Sequence, residues 1–365
     1  MDFALTQDQR LMQESLARTL AQACPLDRVR RFAGDLSDTA GDVWQAVADF
    51  GLAGVVVPEE HGGLGLSLLE AALASEALGA AAAPVTFLGA VLAPLALLRG
   101  GSAAQQAEWL PKLASGEVTA AAAISEAVAG ARDGAGVAAA GGKLSGKALF
   151  VPGGLAAGLL IVADTAGGLH LVRGDAPGLT RTPMPGLDET RRLAELSFQA
   201  TPAEPLSGGP ELLAALRDAG WVLLAADSLG AAQAMLDKAV VYAKERRQFG
   251  RVIGSFQAVK HLCAEMAAEL EPCRSLVWYA AYAFEAAPAE ASLMAAHAKA
   301  LTSEVGRFVA RTATEVHGGI GITDLLGLHF WFKRLGLNRQ LLGGPERVRE
   351  IAARLQGLPA MEVGG

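Results

Sequence analysis

Three cysteines, three tyrosines and five tryptophans are all that 365 residues carry of those types. Charged residues are sparse as well, 19 % against 52 % hydrophobic. Each shortage excludes something. Cys24, Cys263 and Cys273 are odd in number, so a disulfide framework is not expected and a reducing cytoplasm suits the chain. The six histidines (His61, His170, His261, His297, His317, His329) stand at no metal-ligand spacing with one another or with cysteine, which argues against a metal site. The formal charge is −7 with no long basic run, which argues against nucleic acid as the main partner. The first six residues hold neither a basic segment nor an apolar one, so they do not read as a secretion signal. What remains is apolar enough to bury a sizeable core and long enough for two or three domains.

Charge is missing altogether between Glu76 and Arg99, a run long enough to span a bilayer. Gly79, Pro84, Gly89 and Pro94 interrupt it. Two helices joined by a buried turn at Ala83-Pro84 account for it better, so no membrane span is expected.

Three parts follow one another along the chain. Residues 1–116 read as a helical domain. Thr6 is placed to cap a helix over 7–21, Val43, Val47 and Phe50 form a helical stripe, and 68–78 and 105–113 give two more helices. Residues 117–206 read as a β domain. Glycine pairs mark its turns, and 143–151, 159–163 and 169–172 read as strands of a small antiparallel barrel or sandwich. Residues 207–365 read as a four-helix bundle, with helices over 212–244, from a Ser255 cap onward, over 290–316, and from Pro345 to Gln356. The fold class is therefore α+β.

Two segments of the bundle carry chemistry. Glu245-Arg246-Arg247-Gln248-Phe249-Gly250 follows the first long helix, and Ser255-Phe256-Gln257 opens the next. Cations at a helix C-terminus are ordinary, because they answer its dipole. A guanidinium beside a helix N-terminus also makes a phosphate site, to which Gln257 adds an amide and Phe249 an apolar face. Glu315-Val316-His317-Gly318-Gly319-Ile320-Gly321 ends the third long helix. One glycine there is a C-cap; three suit close approach of backbone to a ligand. His317 is also readable as a packed or capping residue.

These segments, in this domain order, resemble the flavin-binding signatures of the acyl-CoA dehydrogenase family, and the likeness covers nearly the whole chain. Val57-Pro58-Glu59-Glu60-His61-Gly62-Gly63-Leu64-Gly65, Ile124-Ser125-Glu126-Ala127 and Asp188-Glu189-Thr190-Arg191 add to it. The resemblance implies FAD held between the β domain and the bundle, with its ring near a Ser125-Glu126 strand. It implies that Arg246, Gln248, Phe249 and Gln257, with Glu315, His317, Gly318 and Gly319, reach the pyrophosphate and adenine half of a neighbouring subunit's FAD. Gly344 falls where a residue contacts the flavin. Dimers of dimers, an acyl-CoA thioester as substrate and an electron-transfer flavoprotein as acceptor are implied too. In such proteins a carboxylate takes the α proton while hydride leaves the β carbon.

The sequence departs from the family at that carboxylate. A Tyr-Glu-Gly-Thr run is replaced by Leu341-Leu342-Gly343-Gly344, so the base position falls on Leu342. The family's alternative position, on the first bundle helix, falls on Gly220, with Trp221 beside it. Glu315 replaces a usual glutamine, Ser125-Glu126-Ala127 lacks a proline, and Ala131-Arg132-Asp133 replaces a Gly-Ser-Asp. Asp227 is the favoured substitute base, about 10 Å along the helix from Gly220, with Asp218 and Glu346 behind it. Three readings stand. The chain is the base-lacking partner subunit of a heterotetramer, a self-sufficient homotetramer with a relocated base, or a flavoprotein of the same fold that is not a dehydrogenase. Fatty, branched and steroid side-chain thioesters are not separated by these residues.

Overall fold

Three helix starts are written into the local sequence. Thr6 accepts from the Gln9 amide at 3.2 Å while the Gln9 side chain accepts from the Thr6 amide at 2.9 Å. Ser67 with Glu70 and Ser102 with Gln105 repeat this reciprocal cap. The computed structural model describes residues 4–132 and 134–358. Its N-terminal part consists of α1 (Gln7–Ala23), α2 (Leu26–Gly34), α3 (Gly41–Asp49), α4 (Leu68–Ala80), α5 (Phe87–Gly100) and α6 (Ala103–Ala114). The charge-free run is indeed two helices, α4 and α5, with Ala82 and Ala83 fully buried in the turn between them.

The middle part opens with β1 (Ala120–Ala123) and a five-residue helix, α7 (Ser125–Ala129). Then come β2 (Gly136–Ala140), β3 (Lys143–Pro152), β4 (Leu159–Ala163), β5 (Leu169–Arg173), β6 (Leu179–Met184), β7 (Leu193–Pro202) and β8 (Glu204–Leu206). They form two four-stranded sheets, ordered β1-β4-β5-β8 and β2-β3-β7-β6. Side chains such as Val137, Leu144, Leu160, Val162, Leu196 and Phe198 fill the space between. The expected all-antiparallel arrangement needs one correction: β1 runs parallel to β4, with Ala120 opposite Leu159.

The last part holds α8 (Gly209–Glu245), a short hairpin of β9 (Arg247–Gln248) and β10 (Arg251–Val252), α9 (Gln257–Ala286), α10 (Pro288–His317), α11 (Leu328–Gln340) and α12 (Pro345–Leu355). Ser255 does not cap α9: its hydroxyl donates to the Val252 carbonyl at 2.7 Å, and Phe256 holds the cap position without a side-chain bond. By length and composition α8 is the one described helix able to cross a membrane, but 89 % of its most apolar window is buried inside the protein. It is the central core helix, packed on α4, α5, α9, α10 and α11.

Glycine lets α8 and α4 approach closely. A Cβ on Gly79 would lie 2.0 Å from the Asp227 carbonyl oxygen, and one on Gly230 would lie 1.8 Å from that of Glu76. The two helices therefore touch backbone to backbone, and the Ser75 hydroxyl reaches across to the Leu223 carbonyl at 2.8 Å.

Candidate functional site

Helix α7, which follows β1, and the side of α11 border a cavity of about 660 Å³. Ser125 and Glu126 of α7 stand at one wall, Phe150 of β3 and Leu187 at another, and Phe332, Leu337 and Leu342 at the third. Gly336 opens the α11 side, since a Cβ there would meet nothing within 4 Å. The Ser125-Glu126 segment is helical rather than the expected strand. Glu126 accepts from the Leu149 amide at 2.9 Å, and burial raises its pKa against that bond. Arg132 lies over the Phe150 ring at 4.4 Å. Asp133, the residue after it, lies outside the described residues. A hard-walled, largely apolar cavity with a few polar groups at its edge suits a flat ring system.

Both expected base positions meet where Leu342 lines this cavity, with Gly220 packed behind it. The Leu342 side chain sits 2.5 Å from where a Cβ on Gly220 would be, with Leu92 and Leu88 at 3.7 and 3.9 Å. Leu342 is held in a left-handed conformation at φ +57°, unusual for a residue with a branched side chain. The fully buried Trp221 fixes it there by donating its indole N–H to the Leu342 carbonyl at 2.8 Å. Lys299 is buried nearby and donates to the carbonyls of Asn338 and Arg339 at the end of α11. Burial pulls its pKa down to about 7. Gly220→Ala is expected to destabilise the protein by only about 1 kcal/mol, because the colliding atom is the end of a flexible side chain. Leu342→Ala in the same chain should relieve that collision, and a thermal-melt double-mutant cycle measures the coupling.

Asp227 is not a base in this structure. It is buried at 3 % exposure, and both oxygens are taken. Arg334 donates to them at 2.9 and 2.7 Å, Arg191 at 2.7 Å and Asn338 at 2.6 Å. Burial pushes its pKa up, but the charges of Arg191 and Arg334 and their bonds prevail and hold it at about 2. Such a carboxylate is ionised yet has no oxygen free for a proton. Asp218 is buried as well, bridged to Arg217 at 2.7 Å and to Ser292. Glu346 is exposed and paired with Arg339 at 2.7 Å. Sequence spacing places Asp227 on the right helix; its partners Arg191 and Arg334 are too distant in the chain to be foreseen.

The cationic segment forms an arm on the surface. β9 and β10 pair antiparallel around a Phe249-Gly250 turn with φ of +52° and +79°, the type I′ geometry of tight hairpins. Phe249 is 92 % exposed, and Arg246, Gln248 and Gln257 are exposed around it. Among the described residues the Gln257 side chain bonds only to His261, at 3.0 Å, one turn along its own helix. Arg251 lies over the Phe256 ring at 3.9 Å, stiffening the base of the arm.

His317 does not share that openness. It is buried, bonded through Nδ1 to the Ala313 carbonyl at 2.7 Å and stacked on Tyr242 at 4.6 Å, and burial lowers its pKa. It packs the end of α10 instead of facing a ligand. Glu315, Gly318 and Gly319 beside it are exposed, and a Cβ on either glycine would meet nothing. Gly344 begins α12, two residues past the cavity wall. The expected site residues thus divide. Ser125 and Leu342 line one cavity, while Arg246, Gln248, Phe249, Gln257, Glu315, Gly318 and Gly319 lie outside its walls. The contribution of α11 to the cavity was not legible in the sequence, where no helix is foreseen over 328–340.

Comparison with known proteins follows the same lines. The family profile described as the acyl-CoA dehydrogenase N-terminal domain matches residues 6–117, and that described as its C-terminal domain matches 218–356. Acyl-CoA dehydrogenase IpdE2 of Mycolicibacterium smegmatis is 33 % identical, over 96 % of this chain and 100 % of that protein. Acryloyl-CoA reductase (NADH) of Anaerotignum propionicum is 30 % identical, over 88 % of this chain and 87 % of its own. Among solved structures, a chain of the ChsE4-ChsE5 complex from Mycobacterium tuberculosis superimposes with a TM-score of 0.89 at 26 % identity, covering 99 % of this chain and 100 % of that one. A variant of the Tcur3481-Tcur3483 steroid ACAD gives 0.87 at 30 % identity, covering 96 % and 98 %.

Proposed function

The chain belongs to the acyl-CoA dehydrogenase family, and from that premise we propose that it is the base-lacking partner subunit of a mixed, FAD-dependent acyl-CoA dehydrogenase. The observation that carries this reading is the interlock of Leu342 with Gly220. Neither position has a group that accepts a proton, and the side chain of one fills the space of the other. A positioned base is worth about 10²–10⁴ in rate, so the chain needs a neighbour to supply it.

The division of site residues supports the same reading. The ring-sized cavity lies on one part of the chain, and the cation, amide and open glycines lie outside it. An exposed arm ending in Phe249 is apolar surface awaiting a cover, and a second subunit's cofactor pocket provides one. Arg246 and Gln257 would hold phosphate oxygens there, with the Gly318-Gly319 backbone beside them. Bound FAD would supply the acceptor for hydride leaving the acyl β carbon, and an electron-transfer flavoprotein would carry the electrons onward. The three free cysteines suit a cytoplasmic assembly. A steroid-derived acyl-CoA is the first thioester to try, since one similar structure is described as a steroid ACAD.

Expression alone and beside an adjacent family member tests the proposal. The expected result is a colourless chain alone and a yellow heterotetramer together, whose absorbance an acyl-CoA bleaches. Arg246→Ala should strip flavin from that heterotetramer without dissolving it. A yellow homotetramer of this chain, bleached by an acyl-CoA, would sink the proposal.

A further inference from the structure

A second cavity, of about 330 Å³, lies where α2 and α3 meet the α4–α5 turn and the β sheets. It is at the small end of the range for ligand pockets, roughly 300–1,000 Å³. Phe32, Trp44 and Leu155 give it apolar walls, and Thr39, Thr86 and Thr119 add hydroxyls that make no hydrogen bond among the described residues.

One side chain in it stands out by its chemistry. Arg192 donates through Nη2 to the carbonyls of Phe32 and Asp35, at 2.6 and 2.8 Å, closing the C-terminus of α2. Its guanidinium lies over the Phe32 ring at 4.3 Å. Nε is buried with no partner, and Arg192 makes no ion pair among the described residues. Neither nearby carboxylate pairs with it among the described residues. Asp38 is held by Arg28 at 2.7 and 2.9 Å, and Asp35 by Ser37 at 2.7 Å. Arg191, the other cation at this cavity, is paired with Asp227, which it shares with Arg334. A guanidinium without a counter-ion, on the wall of an apolar cavity with unspent hydroxyls, is complementary to an anion carrying a hydrocarbon body.

We propose that this cavity binds a small apolar carboxylate, its charge on Arg192 and its hydrocarbon against Phe32, Trp44 and Leu155. Its position at the junction of the helical and β parts lets an occupant brace one against the other.

Titration of decanoate and of decanol into the full chain, in the assembly in which it purifies, tests this by calorimetry and tryptophan fluorescence. Decanoate should bind at least about tenfold more tightly than decanol, the loss of one charge-assisted hydrogen bond. Arg192→Gln should erase that preference. Thr119→Leu fills the cavity and leaves the bonds of Arg192 in place; it should abolish binding, and it keeps the test open if the Arg192 variant fails to fold. Trp44→Phe should remove the fluorescence response while the heat persists. Equal affinity for the two probes, decanoate binding that survives Thr119→Leu, or no heat from decanoate at all overturns the assignment.

Discussion

Gly230→Ala and Gly79→Ala are each expected to lower stability by about 3 kcal/mol or more and the melting temperature by roughly 5–10 °C. An alanine in a helix interior ordinarily stabilises by up to about 1 kcal/mol relative to glycine. Here the added methyl would lie 1.8 Å from one backbone oxygen and 2.0 Å from the other. Neither oxygen is the end of a side chain that can turn away. The methyl can be accommodated only if α4 and α8 move apart, and that loosens the packed layer along their whole crossing. Gly336→Ala is the matched control: it is a helical glycine whose Cβ would meet nothing within 4 Å, and it should melt at or above the parent. A Gly230→Ala protein melting within a degree of the parent would contradict the backbone contact.

Asp227→Asn is expected to destabilise by about 3–5 kcal/mol, because it leaves two buried guanidinium groups without their anion. The pH dependence has a definite sign. The folded pKa of Asp227 is held at about 2, below the ordinary carboxylate value near 3.8. Its ionised form therefore contributes stability above about pH 4, and that contribution fades as pH falls toward 2. At about 1.4 kcal/mol per pKa unit the amount is roughly 2–3 kcal/mol. Chemical unfolding of parent and Asp227→Asn between pH 7 and pH 3 measures it: the gap between the two should narrow on acidification. A gap that does not change with pH would mean that Asp227 is not the titrating anion of the cluster. In the proposed heterotetramer the same variant should keep its bleaching by acyl-CoA wherever it still folds, since the carboxylate has no free oxygen to act as a base.

Local signals were legible and long-range pairings were not. Thr6 caps α1 as its spacing with Gln9 foretells, and the prolines and glycines of the charge-free run mark a turn between two helices. Ser255 looks like a cap by the same logic, yet its hydroxyl turns back to Val252 because a 3₁₀ turn precedes α9. The four alanines of β1 favour helix by intrinsic preference, and only their register with Leu159–Ala163 makes them a strand. Leu328–Gln340 mixes apolar and basic residues without a clean stripe, since it is packed on several sides and lines the large cavity. Leu342 and Gly220 were legible as departures from a pattern; that the Leu342 side chain fills the space beside Gly220 was not, because 121 residues separate the Trp221 indole from the Leu342 carbonyl it fixes.

The meeting of Leu342 and Gly220 also works as a ratchet. A carboxylate regained at Gly220 by a single substitution would collide with the leucine already seated there. A carboxylate placed at Leu342 would stand on the wall of the large, mostly apolar cavity. On the proposed reading, a change that restores a carboxylate at either position carries a packing cost in addition to its chemical gain.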